Sequence, residues 1–299
     1  MWSRSKPYLL IFPSLMLVVV LFFGGILEGF MQSIGLHSLG VVPFTLKFYK
    51  EVIISTEFWE SFFLTARIAI ISTLISSLLG MWVIVCLFLI RKGEKREKTL
   101  LMQRLFQIPM LFPYLIAAYF VFFMLGQSGW IARVLVHMGI IQKMGDFPVI
   151  VNDSFGWGII FTYVWKTTPF VVLMLYPVIL QIYDSWIEVG RVFGANPFKF
   201  FRAIVFPLLI SPWKTSAFII LSYTALAFEV PYLLGVTYPK ALSVYSYEIY
   251  MNGNLTDRPK AMVINIILTM MLLVVGWIFY LLGNYKFSKL WTSKKMKGL

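Results

Sequence analysis

The sequence predicts an all-α integral membrane protein with six transmembrane helices and both termini in the cytoplasm. Three observations carry that expectation. Only 13% of the 299 residues are charged and 60% are hydrophobic, against roughly 25% and 45–50% in soluble domains. Six stretches are long and apolar enough to cross a hydrocarbon core, which takes about 20 helical residues. The 26 basic residues are unevenly divided between alternate loops. A net charge of +13 and a pI near 9.7 would suit nucleic acid only if the cations lined a water-exposed face. The apolar runs leave no such face, so no nucleic-acid partner is expected. Cys86 is the one cysteine, which excludes an intrachain disulfide and a cysteine metal site.

The expected spans are residues 8–31, 62–90, 106–126, 155–182, 208–235 and 262–283. The first is too long for a signal peptide and lacks a small-residue cleavage site, so it should remain a membrane helix. Sixteen basic residues fall on one side: Arg4 and Lys6, six between Arg91 and Arg104, then Arg191, Lys199 and Arg202, and five from Lys286 to Lys297. The opposite loops carry only Lys47, Lys50, Arg133, Lys143, Lys240, Arg258 and Lys260. The positive-inside rule then places both termini in the cytoplasm. Residues 1–61 are read as a tail, the first helix and an external loop, 62–283 as a core of five helices, and 284–299 as a basic tail. Between spans 3 and 4, residues 129–141 repeat apolar Ile131, Val134, Leu135 and Met138 at helical spacing, predicting an amphipathic external helix. Residues 236–261 read as a polar loop with turns at Asn252-Gly253 and Pro259.

Residues 184–207 link spans 4 and 5. Asp184 or Ser185 can cap a short helix through Glu188 to Phe193. Gly194 suits a sharp break, and Pro197 suits the first turn of a second helix through Phe198, Phe201 and Ile204 towards Pro207. A cytoplasmic hairpin with exposed aromatics is expected.

The order Glu188-Val-Gly, Gly194-Ala195, then Ile204-Val-Phe-Pro207 resembles the EAA loop of type I ABC importer permeases, with Val189 and Gly190 in place of two alanines. Trp165-Lys166-Thr-Thr-Pro169-Phe170, Ile108-Pro109 with Pro113, and Gly129…Gly139 are similar to further segments of that family. The resemblance implies the type I permease fold and a coupling loop seated in a cytoplasmic ATPase. Glu188 would contact the ATPase, Gly194 would allow the turn, and Ala195, Asn196, Pro197, Phe198 and Phe201 would form the coupling surface. It also implies a second permease subunit, different from this one, beside it in the lipid of a bacterial or archaeal cytoplasmic (inner) membrane, with two cytoplasmic ATPase subunits and an extracytoplasmic solute-binding protein. ATP and magnesium would be held by the ATPases, with no cofactor in this chain.

Gly93-Glu-Lys-Arg-Glu-Lys98-Thr99 imitates half of a phosphate-binding loop, but Glu97 stands where glycine is required and would repel phosphate. No catalytic residues and no metal site are expected; the two histidines, His37 and His137, lie outside the spans. The chain therefore reads as a transport subunit rather than an enzyme. Ionisable residues within spans are the places to look for function. Arg67 can snorkel to the headgroups. Lys166 lies near mid-span, where packing or gating is expected. Glu229, followed by the helix-breaking Pro231, could attract a cationic solute, pair with Lys166, or face the second permease. Tyr223, Phe228 and Tyr232 share its segment, and with it and Lys166 form the candidate path. The segment from Phe228 to Gly235 resembles the polyamine, ferric-ion, thiamine and sulfate branch of the family, implying a polyamine, other small cation or small ion; a sugar or oligosaccharide is the alternative. A secondary transporter or membrane-embedded enzyme is more remote.

Overall fold

A computed structural model describes residues 2–36, 44–90, 96–192, 196–252 and 254–295. In chain order the helices are α1 (Trp2–Ser33), α2 (Lys47–Ile54), α3 (Thr56–Ile90), α4 (Arg96–Leu111), α5 (Tyr114–Leu125), α6 (Trp130–His137), α7 (Trp157–Val192), α8 (Pro197–Phe200), α9 (Phe206–Leu226), α10 (Glu229–Leu234), α11 (Leu242–Asn252) and α12 (Arg258–Lys295). No strand occurs among the described residues. Six helical stretches are long and apolar enough to cross a membrane, as expected: 11–33, 56–89, 114–137, 157–182, 198–226 and 255–281. Backbone groups cannot be satisfied by lipid, so each crossing segment must close its hydrogen bonds internally, and helices do so.

The chain divides into two compact units, residues 1–59 with 242–271 and residues 60–241 with 272–299. In the first, α1 presents apolar side chains such as Leu21, Phe22 and Phe23 to its surroundings all round, which suits lipid rather than water. Ser33 Oγ lies 2.9 Å from the Tyr49 hydroxyl. Ser246 Oγ lies 3.0 Å from Asn265 Oδ1 and 3.1 Å from the Ala261 carbonyl. Lys260 bridges Glu51 at 3.1 Å and Asp257 at 2.9 Å. The segment expected as a polar loop is largely helical here: α11 occupies 242–252, and Pro259 opens α12, where the missing N–H costs nothing.

The second unit is built around α7, with α4, α5, α9 and α10 packed on it. Asp153 starts this helix, its carboxylate accepting from the backbone N–H groups of Phe155, Gly156 and Trp157 at 2.8–3.1 Å. One face of α3 carries Ser72, Ser76 and Gly80 at four-residue spacing, letting α7 approach closely. Thr167 Oγ1 donates to Ser76 Oγ at 2.7 Å, and a side chain on Gly80 would start 2.5 Å from Val171 Cβ. Ile84, Phe88, Val171, Leu175 and Leu209 fill the core towards one end of α7, and Leu64, Ile68, Ala118, Tyr163 and Val230 towards the other.

Two expectations for the link between spans 4 and 5 need correction. No separate helix begins at Asp184 or Ser185; α7 continues unbroken to Val192 through Pro169 and Pro177. Nor does the second helix stop at Pro207, because α8, a π-helical turn at Phe201–Val205 and α9 run on without a gap. The physical reason is the π-helical turn directly before Pro207, which widens the ladder where proline offers no N–H and lets the helix pass it. The external helix is shorter than expected, at α6, and Met138 lies beyond it as its exposed C-cap.

Candidate translocation site and coupling segment

Prolines cut spans 3 and 5 in the same way. An α-helical carbonyl accepts from the N–H four residues on, and proline has none. The Pro109 carbonyl therefore loses its partner at Pro113, and the span breaks between α4 and α5. The Ala227 carbonyl loses its partner at Pro231, and the span breaks between α9 and α10. This corrects the expectation of a break after Glu229: the break precedes it, and Pro231 lies inside α10.

Lys166, buried on α7, meets the first break. Its ammonium donates to the Pro109 carbonyl at 2.6 Å and to the Phe112 carbonyl, and it lies 4.8 Å from the Tyr114 ring centre. The first bond of the outer half of that span runs from the Ala117 N–H to the Pro113 carbonyl, so the Phe112 carbonyl also lies outside the ladder. Cation and helix C-terminus are matched electrostatically, since the last carbonyls of α4 carry its negative dipole end.

Three tyrosines gather beside it. The Tyr114 and Tyr223 rings are 4.6 Å apart, and Tyr163 is 6.2 Å from the first and 6.4 Å from the second. Tyr163 is fully buried with its hydroxyl unpartnered. A cavity of about 250 Å³ opens here, lined by Met110, Tyr114, Lys166, Phe170, Ile220 and Tyr223 among others. Glu229 opens α10 and is exposed. No ion pair joins it to Lys166 among the described residues, because that ammonium is occupied by carbonyls. Phe228 and Tyr232 stack at 4.9 Å, with Tyr232 more than half exposed. Sequence reasoning found Lys166 and Tyr223 but missed Tyr114 and Tyr163. The available signals were a tyrosine directly after the break-making Pro113 and another one helical turn before Lys166.

Arg67 does not reach into this cavity. Its Nη2 donates to the Ser154 carbonyl at 2.7 Å and its guanidinium lies over the Phe155 ring at 4.4 Å, a packing role.

In the coupling segment, Glu188 lies on the last part of α7, and Pro197 begins α8. Gly194 and Ala195 lie outside the described residues. Asn196 Oδ1 accepts from the Phe198 N–H at 3.1 Å and its carbonyl accepts from Phe200 at 2.9 Å, so this side chain opens the second helix. Phe198 is 66% exposed. Phe201 corrects the expectation of an exposed coupling surface: it is buried, its ring 5.3 Å from that of Phe88, while Phe200 stacks on Phe88 at 6.4 Å. An aromatic at this position covers more apolar area against α3 than it could at the surface.

Six spans, two of them broken beside an open cavity, and a helical link exposing an aromatic define a multi-pass membrane protein. The chain belongs to the family of binding-protein-dependent transport system inner membrane components, whose profile matches residues 88–285. It is 26% identical over 298 residues to the trehalose/maltose transport system permease protein MalF of Thermococcus litoralis, covering 93% of this chain and 94% of that one. It is 28% identical to a probable permease for starch degradation products, AmyD of Thermoanaerobacterium thermosulfurigenes, covering 76% and 74%. A probable sulfate permease, cysT of Prototheca wickerhamii, is 24% identical over 71% and 77%. Among solved structures, a bacterial alginate ABC transporter in complex with an alginate pentasaccharide-bound periplasmic protein has a chain of the same fold, with TM-score 0.75, 18% identity and coverage of 95% and 97%. This is an ABC importer permease, a transport subunit of the inner membrane.

Proposed function

We propose that this chain is a permease subunit for a sugar or oligosaccharide, moved by alternating access between two faces of the membrane. The observation that carries the reading is the tyrosine-lined cavity at the paired breaks. Sugars present apolar C–H faces that lie on aromatic rings and hydroxyls that need neutral donors and acceptors. Tyrosine supplies both on one rigid side chain. The cation in the wall, Lys166, is already held by two carbonyls, and Glu229 can accept from sugar hydroxyls as readily as it can attract a cation. The substrates named for the two most similar permeases above favour the same class over a polyamine or small ion. Glu229, Lys166, Tyr223, Phe228 and Tyr232, with Tyr114, line the path, and the buried Tyr163 backs Tyr114 and Tyr223.

The basic loops face the cytoplasm in this reading, and so do both termini. Glu188, Asn196, Pro197 and Phe198 then meet an ATPase, and Phe201 anchors the segment from behind. Two ATPases bind ATP and magnesium, a second permease completes the path, and an external binding protein delivers the solute.

The test is uptake into proteoliposomes holding the whole complex, offered maltodextrin, spermidine or sulfate in turn. ATP-dependent accumulation of the maltodextrin is expected. Accumulation of spermidine instead, lost with Glu229→Gln, overturns the carbohydrate reading.

A further inference from the structure

We propose that Lys166 is a positioning residue of the transport cycle, pinning the break in span 3 to α7 so that movement of α7 reaches the tyrosine cavity. The inference deepens the transport reading above and rests on it. Three observations lead here. The Pro109 carbonyl is orphaned by a proline four residues on, and the Lys166 ammonium, 57 residues away in sequence, supplies the missing donor at 2.6 Å. The same ammonium binds the carbonyl of Phe112, which lies in the break itself, so one group holds both the end of α4 and the break. And α7 is a single helix from Lys166 through Glu188 to Val192, which sets the two residues about 33 Å apart along one axis.

A helix moves as a unit far more readily than it stretches. Displacement of the Glu188 end therefore tilts or shifts Lys166, and the carbonyls it holds must follow. Tyr114 is the first helical residue after the bend and forms a wall of the cavity. Moving the bend moves that wall. Without the pin, α7 could move while span 3 stayed behind, and hydrolysis would proceed without transport.

The experiment measures solute transported per ATP hydrolysed in the reconstituted complex, for wild type, Lys166→Met, Lys166→Arg, Pro113→Ala and the Pro113→Ala/Lys166→Met pair. Lys166→Met should lower the ratio about tenfold, the scale of a lost charge-assisted hydrogen bond, while hydrolysis continues. Lys166→Arg keeps a donor and should stay within about twofold. Pro113→Ala restores an N–H for the Pro109 carbonyl, so adding Lys166→Met to it should cost much less than in the wild type. An unchanged ratio in Lys166→Met, or the same loss in both backgrounds, overturns the proposal. Should Lys166→Met fail to assemble, Lys166→Gln retains an amide donor; a ratio ordered Lys, Arg, Gln supports the pin and equal ratios overturn it. If the wild-type complex moves no solute with any ATP, it is the transport reading that fails.

Discussion

At Gly80 the backbones of α3 and α7 approach until a single carbon would overlap: a Cβ there would lie 2.5 Å from Val171 Cβ and 2.6 Å from Val171 Cγ1. Valine cannot swing clear, because its branched side chain has one favoured rotamer in a helix. Gly80→Val should therefore destabilise the protein by about 1–3 kcal/mol, an overpacking cost. Thermal unfolding in detergent checks this, and Val171→Ala in the same chain should recover only part of the loss, because it removes Cγ1 and keeps the Cβ. Gly276 meets instead the far end of the Phe218 ring at 2.8 Å, which can turn aside, so Gly276→Ala should be milder. A different residue-level effect belongs to Glu51. Its hydrogen bond to Lys260, aided by the charges of Lys260 and Lys47, holds its carboxyl below the ordinary carboxylate range. A lowered folded-state value contributes stability above the unfolded value and loses it as pH falls through the folded one. The melting temperature should thus decline on acidification below about pH 4.5, and that part of the decline should vanish in Glu51→Gln. The group is partly exposed, so the effect is small.

At the scale of elements, the coupling segment separates by burial into two functions. Phe201 sits in the core against Phe88, and Phe198 faces outward two-thirds exposed. Phe201→Ala should cost about 3–5 kcal/mol of stability, as for other buried aromatics, whereas Phe198→Ala should leave unfolding unchanged and weaken co-purification of the ATPase. Equal effects of the two on unfolding would contradict that division. The second break offers an independent test. Pro231→Ala returns an N–H to the Ala227 carbonyl, allowing α9 to run into α10. Pro231 stands in the first turn of α10, where its missing N–H costs little, so this variant melts higher only through closing the break into one continuous helix. It should also transport less, because the bend that starts α10 at Glu229 is removed. Higher stability with unimpaired uptake would show that the bend is not needed for transport.

For the whole molecule, apolar surface remains on every span, and α1 is exposed from Ile11 to Glu28. Lipid covers such surface without cost, and a second permease can cover part of it, so isolation of the chain alone should require detergent. ATP-driven uptake should depend on co-expression with an ATPase, since the nearest imitation of a phosphate loop has Glu97 in the place of its glycine.

What the sequence determined by itself is what consecutive residues encode. Hydropathy over about 20 residues sets the spans, the uneven distribution of cations sets their expected direction, and the order Glu188, Gly194, Pro197 and Pro207 carries the family. The location of both breaks was nearly legible too, because a missing N–H acts four residues upstream; only the assumption that a helix stops at its proline misplaced the second. Tertiary structure decided the rest. Whether Phe201 points out or in depends on Phe88, more than a hundred residues away. Whether Lys166 meets Glu229 or a carbonyl depends on which of α4 and α10 comes nearer to α7. The tyrosine cluster draws on three helices and has no linear pattern at all. Local rules act through the backbone's own hydrogen bonds, whereas these choices are made by side chains meeting across helices, where packing alone fixes the partner.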